Sequence, residues 1–310
     1  MVPVAVRTLL PSTEVQFDLY ILHGEGGQPR LFRHRDYPLS QEDLDKLLER
    51  GIHTLYVSYG DTKSYSDYLL ARVMEDENIP PAKRYEVLRE AARAVLTAAL
   101  ASKNVDRVVG ATGDVSGQMV GTICSSNAVL FDIFQVMAHD YGTFAHMMNS
   151  ATYAVLLAYA FGISGERELI EIGQGALLHD VGKLDISQKI LAKRDKLSQD
   201  ETQIIKQHPA SGFRKLAPRT DVSWGQLMMV YQHHERCDGR GYPAGLLRSE
   251  IHEWARLCAI ADVFDALTND RSYRNAAALD DVLQYFDAQA GKGFDEEMIR
   301  CLIAAVKRRN

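Results

Sequence analysis

Cysteine and tryptophan are scarce in this chain, at four and two residues in 310. The cysteines (Cys124, Cys237, Cys258 and Cys301) are scattered and form no CxxC pair. That excludes a disulfide framework and a cysteine-built zinc site, and fits a reducing compartment. Basic runs are also missing. Residues 1–140 carry 14 basic against 19 acidic side chains and residues 141–310 carry 21 against 22, for a net charge of −6. A chain of this balance is unsuited to gripping duplex nucleic acid or an anionic membrane. The nearly neutral second part can still hold a small anion in a local pocket. The longest apolar stretch, Tyr153 to Ile163, is too short to span a bilayer. The opening MVPVAVRTLL has no basic segment leading into a long apolar one. The expectation is therefore a soluble, cytoplasmic protein with no membrane partner. Internal repeats and low-complexity tracts are absent too.

With 310 residues the chain has room for two domains of ordinary size, each able to bury its own core. The first sixty residues alternate in a strand-like way: VPVAV, VQFDLYIL and PRLFRH mix β-branched or aromatic residues with polar ones. PLSQEDLDKLLERG follows. Ser40 is its expected N-cap, Leu44, Leu47 and Leu48 share a face, and Gly51 stops the helix. IHTLYVSY then reads as another strand. From about residue 64 the apolar spacing is helical, as in Tyr85, Leu88, Ala92, Val95 and Ala99. Pro80-Pro81 interrupts this helical stretch, and Ser198 with Glu201 forms a capping box further on. The reading is a small α+β N-terminal domain over 1–62, a helical connector over 63–120, and an all-α helical bundle over 121–310.

Five of the ten histidines stand in or at the end of apolar helices: His146, His179, His208, His233 and His234. Asp180 follows His179 directly, and Asp262 lies in LCAIADVFDALT, a run otherwise too apolar for a carboxylate. A buried carboxylate demands a charged partner, and a metal ion is one. Imidazole with carboxylate suits zinc, iron, manganese, cobalt or nickel better than magnesium or calcium. Five imidazoles and two carboxylates are too many for one ion and about right for two that share a bridging carboxylate, with Asp180 the choice for the bridge. The other histidines (His23, His34, His53, His139 and His252) carry no such expectation.

The blocks HMMN (146–149), HDVGK (179–183), the histidine of KQHP (208), HHERCDGRGYP (233–243) and ADVFDALTNDRSYR (261–274) resemble, in order and spacing, the HD-GYP branch of the HD metallophosphohydrolases. The likeness covers roughly residues 125–310. It implies that His146, His179, Asp180 and Asp262 hold one metal, and that His208, His233 and His234 complete a second across Asp180. Iron or manganese is the first expectation for the two divalent ions, with zinc, cobalt or nickel as alternatives. The resemblance further implies that Lys183 reaches a phosphate or a metal-bridged hydroxide. Arg271 and Arg274 would clamp substrate phosphates, and Gly241, Tyr242 and Pro243 would shape the substrate mouth. The implied reaction is hydrolysis of cyclic di-GMP to linear pGpG, with cleavage on to GMP left open. Two rivals stand beside it: the same site acting on a mixed guanine–adenine cyclic dinucleotide, and a catalytically weak domain that signals by contact. Expected partners are the cyclic dinucleotide, a second copy through the helical connector, and signalling proteins. Family members with three metals place a glutamate four residues before the first ligand histidine. Here that position is Gly142, and Asp140 is the only nearby carboxylate, so two ions are expected.

Overall fold

The computed structural model describes residues 1–6, 9, 15–22, 28–75, 81–124, 143–193, 195–269 and 276–307. The chain divides into two compact units, Met1–Ala111 and Thr112–Asn310. In the first, four strands form an antiparallel sheet in the order β1-β4-β2-β3: β1 (Val2–Ala5), β2 (Leu19–Leu22), β3 (Pro29–Arg33) and β4 (Thr54–Val57). Helix α1 (Gln41–Glu49) starts where the sequence places it. The Ser40 hydroxyl accepts from the Asp43 amide and the Asp43 carboxylate accepts from the Ser40 amide, which makes a capping box. Past its end, Gly51 takes a φ of 72°, a conformation that suits glycine.

Helices α2 (Thr62–Glu75) and α3 (Pro81–Ala101) belong to this unit. Tyr65, Leu69, Ala91 and Ala94 share one buried cluster with Val4, Phe17, Leu19 and Leu55 of the sheet region. The segment read as a connector, 63–120, is thus divided: its first part covers the sheet, and α4 (Val105–Cys124) runs across the boundary between the units. A sheet with one apolar face needs a helical layer over it, and α2 and α3 supply it.

The second unit is helical. Its centre is α5 (Thr143–Phe161), buried along nearly its whole length through Met147, Met148, Ala151, Ala154, Val155 and Ala158. A helix apolar on every side belongs in the middle of a bundle. It packs against α6 (Glu166–Leu178), α11 (Glu253–Thr268) and α13 (Glu296–Lys307). Between them lie a 3₁₀ turn (Val181–Asp185), α7 (Gln188–Leu191), α8 (Gln199–Lys206), α9 (His208–Leu216) and α10 (Trp224–Gln232), while α12 (Leu279–Gln289) precedes α13. Ser198 and Ser223 each close a capping box, with Glu201 and Gln226. Among the described residues no helix is long and apolar enough to cross a membrane.

One buried ion cluster ties the end of this unit to its middle. The fully buried Asp295 carboxylate accepts from Arg248 Nε at 2.8 Å and from the Arg256 guanidinium, while its other oxygen caps the Glu297 and Met298 amides. Burial opposes ionisation of Asp295, but Arg248, Arg256 and the Met298 amide outweigh it and hold the carboxyl below its ordinary 3.8. Removing the acid would strand the mostly buried Arg256, so Asp295→Ala should cost about 3–5 kcal/mol of unfolding free energy at pH 7. Because the folded pKa is depressed, this contribution is complete above the unfolded value and fades as pH falls through the folded one. The gap between wild type and variant in denaturant titrations should therefore close in acid. A gap that is unchanged from pH 7 to pH 3 would contradict the assignment.

Candidate metal centre

Seven side chains picked out by sequence spacing converge from five places in the second unit. His146 comes from α5, and His179 and Asp180 from the end of α6. His208 opens α9, His233 and His234 follow α10, and Asp262 lies on α11. Two groups of three bring their ligand atoms within 4.8 Å of one another: His208, His233 and His234, and His146, His179 and Asp180. Asp262 stands beside the second group, with its carboxylate 3.4 Å from His146 Nε2.

The backbone fixes which nitrogen faces inward for three of the imidazoles. His179 Nδ1 lies 2.6 Å from the Ala176 carbonyl, His208 Nδ1 2.7 Å from Ile205, and His233 Nδ1 3.1 Å from both Met229 and Val230. A carbonyl can only accept, so each Nδ1 carries the hydrogen and each Nε2 presents a lone pair. His208 Nε2 and His233 Nε2 then face each other at 3.1 Å with no hydrogen between them. His179 Nε2 is buried without a hydrogen-bond partner, as is Asp180 Oδ1. Lone pairs aimed at one another in a buried site are unfavourable unless a cation shares them. The donor set of imidazole and carboxylate fits a divalent transition metal.

Asp180 stands between the two groups. Its Oδ1 lies 3.1 Å from His208 Nε2 and 3.9 Å from His233 Nε2. Its Oδ2 lies 3.4 Å from His179 Nε2 and 3.6 Å from His146 Nε2, and accepts from Lys183 Nζ at 2.5 Å. Burial works against its charge, but the nearby His179 and Lys183 outweigh it and hold the carboxyl well below its usual range. Burial lowers His234 to about 4. Burial and the neighbouring histidines push His233 well below its normal value, so both are neutral at physiological pH. Burial acts the same way on His146, but there Asp180, Asp265 and Asp262 prevail and lift it to about 10.

Of the GYP residues, Tyr242 stands against the histidine group. The Tyr242 ring stacks on His234 at 4.7 Å and 26°, its amide donates to the His234 carbonyl at 3.2 Å, and Lys206 Nζ lies 5.3 Å from its centroid. A side chain at Gly241 would meet Arg236 N and Glu235 Cα, each at 2.4 Å, so only glycine allows the loop to close. Pro243 is exposed. Arg271 and Arg274, like Asp140 and Gly142, lie outside the described residues.

Sequence reasoning missed Glu235 and Asp265. Buried Glu235 accepts from the Ala244, Gly245 and Leu246 amides at 2.6, 3.1 and 3.0 Å and so pins the loop behind Tyr242. Asp265 accepts from His146 Nδ1 at 2.7 Å. A signal existed for both. Glu235 adjoins the HisHis pair, and Asp265 lies in the same apolar run that made Asp262 conspicuous. His252, given no role from sequence, caps α11 by accepting from the Trp254 amide at 3.1 Å.

Gly182 sets how closely the HDVGK turn approaches α9. A Cβ there would sit 1.9 Å from the His208 carbonyl oxygen and 2.7 Å from the Gly212 nitrogen. Both obstacles are backbone and cannot rotate away. Gly182→Ala should therefore cost about 1–3 kcal/mol of stability and shift the His208 ring resonances in NMR spectra. A variant with unchanged stability and an unshifted His208 would contradict this packing.

Residues 155–298 match the HD domain family. The chain is 40% identical over 166 residues to the cyclic di-GMP phosphodiesterase response regulator RpfG of Xanthomonas campestris pv. campestris, covering 53% of this chain and 43% of that protein. It is 33% identical over 201 residues to the 3'3'-cGAMP-specific phosphodiesterase 2 of Vibrio cholerae, covering 63% and 38%. The chain thus spans less than half the length of either relative. In fold it is similar to Bd1817, an HDG"Y"P protein from Bdellovibrio bacteriovorus, with a TM-score of 0.70 at 19% identity and 99% of both chains covered. The helical unit of this chain carries an HD domain over residues 155–298.

Proposed function

We propose that the second unit is a metal-dependent phosphodiesterase that hydrolyses cyclic di-GMP to linear pGpG, with GMP the product of a second cleavage. The observation that carries this reading is the division of Asp180. One oxygen faces His208 and His233, and the other faces His146 and His179. Two divalent ions fit on either side of that carboxylate, iron or manganese in the first place, with zinc, cobalt or nickel also matched by the donors. When bound, such a pair supplies Lewis acidity toward phosphate oxygens and activation of the attacking water.

The chain's own residues do the rest. His146, His179, Asp180 and Asp262 would hold one ion, and His208, His233, His234 and Asp180 the other. Lys183, a third exposed at its side chain and already in contact with Asp180, keeps a fixed positive charge where a phosphate would arrive. Tyr242 is held against His234 by the loop that Glu235 pins, so its ring is placed beside the metal group as a platform for a base. Arg271 and Arg274, three residues apart in sequence, are proposed as the phosphate clamp. The N-terminal unit carries no visible chemistry, and a regulatory or dimerising role is proposed for it.

A mixed guanine–adenine substrate has one specific argument in its favour: relatives at 33% to 37% identity are named 3'3'-cGAMP-specific phosphodiesterases. The test is to incubate metal-loaded protein with cyclic di-GMP, cyclic di-AMP and 3'3'-cGAMP and separate the products by chromatography. Cyclic di-GMP should be consumed with pGpG appearing first, and Asp180→Asn should abolish turnover while it loosens at least one ion. Preference for 3'3'-cGAMP would move the substrate to the rival reading. No hydrolysis of any of the three would leave the contact-signalling reading.

A further inference from the structure

Behind the metal groups lies a polar node that the seven expected ligands do not account for. Asp265 is buried at 3% exposure on α11, one turn after Asp262. Its Oδ2 accepts from His146 Nδ1 at 2.7 Å. Its Oδ1 accepts from two amides, Asn149 Nδ2 at 2.8 Å and Asn269 Nδ2 at 2.6 Å. Both asparagines are buried too, and the carbonyl oxygen of each has no hydrogen-bond partner. Their amino ends are therefore committed to Asp265, and both oxygens of this carboxylate face donors.

Once a cation takes the place of the Nε2 hydrogen, the arrangement leaves His146 no choice of tautomer. The other three histidines whose inward nitrogen is fixed by a hydrogen bond use a backbone carbonyl from the preceding turn. His146 lies in the first turn of α5, where the Thr143 carbonyl is taken by the helix's own amides, and among the described residues its Nδ1 meets no backbone acceptor. We propose that Asp265 replaces it: Asp265 is the positioning residue that holds the hydrogen of His146 on Nδ1. Nε2 is thereby directed toward Asp180 and Asp262, 3.6 and 3.4 Å away. Asn149 and Asn269 keep the carboxylate itself from rotating. A ligand imidazole backed by a carboxylate is more basic and better oriented than a free one. The inference rests on the metal reading of the site and concerns only the ion on the His146 side. The group of His208, His233 and His234 is its internal control.

An asparagine at 265 cannot do the same work. Whichever way its amide is turned, an amino group meets either His146 or the two asparagine amides, all of which are donors. The competing role for Asp265 is a mere staple between α5 and α11, because its partners lie on or next to those two helices.

The experiment is a Co(II) titration of the full chain, following ion number and affinity by absorption, for wild type, Asp265→Asn, His146→Ala and the double variant. Wild type should take two ions. Asp265→Asn should weaken one of them about 10–100-fold and leave the other unchanged, and His146→Ala should weaken the same ion. In the double variant the loss should match that of His146→Ala alone within about twofold, because a residue acting through His146 has nothing left to act on. Losses that multiply would show a structural staple and overturn the proposal, as would wild-type affinities in Asp265→Asn. A wild-type chain that takes no Co(II) would instead bring down the metal reading itself. A second measurement needs no variant and survives a misfolded one. In Zn(II)-loaded wild type, long-range proton–nitrogen correlation should place the His146 hydrogen on Nδ1 and zinc on Nε2. The opposite assignment overturns the proposal.

Discussion

A carboxylate buried among lone pairs is the constraint around which the second unit is built. Asp180 is nearly removed from water, with its side chain 12% exposed, and its neighbours on the Oδ1 side are imidazole nitrogens that offer no hydrogen. Lys183 neutralises the other oxygen in part. A site of this kind is costly for a fold that gains nothing from it, because buried charge needs compensation and facing lone pairs repel. Two cations, as proposed, would remove the cost. The proposed activity follows from the same fact, since two ions across one carboxylate can hold a phosphodiester and the water that cleaves it.

The helices serve that arrangement in different ways. His179 and His233 are each the residue at which a helix ends, where the chain can turn a ring inward while its Nδ1 still reaches the last carbonyls. His208 opens α9 and uses the carbonyl of Ile205 on α8. Gly182 lets the HDVGK turn touch α9 backbone to backbone, which brings Asp180 to His208. His146 lies in the first turn of α5, and there its Nδ1 meets the Asp265 carboxylate instead of a carbonyl. Around the rim, Glu235 gathers three amides of the loop that carries Tyr242, so the wall of the site is as firmly held as its floor.

Much of this was legible in the sequence. The order of three strands, a helix and a fourth strand in the first unit and the Ser40 and Ser198 caps follow from local chemistry that tertiary contacts did not override. The convergence of the histidines could be read because an adjacent HisAsp or HisHis pair in an apolar run is costly to bury unless a cation shares it. What escaped were the residues that act on other residues. Glu235 and Asp265 look like ordinary acids in one dimension, and their partners are loop amides nine to eleven positions on and a histidine 119 residues away. The helices after residue 63 read as a separate connector for a similar reason. Their apolar faces are evident, but the sheet that receives them through Tyr65, Leu69, Ala91 and Ala94 is fixed only by folding.

The account turns on two cations sharing Asp180. A crystal of protein purified without chelator, with diffraction recorded at the absorption edge of the metal found by elemental analysis, would test it directly. The account predicts two anomalous peaks about 3.5–4 Å apart, one on each side of the Asp180 carboxylate. The first should be bounded by His146 and His179, and the second by His208, His233 and His234. A single peak, or peaks that leave Asp180 uncoordinated, would contradict it.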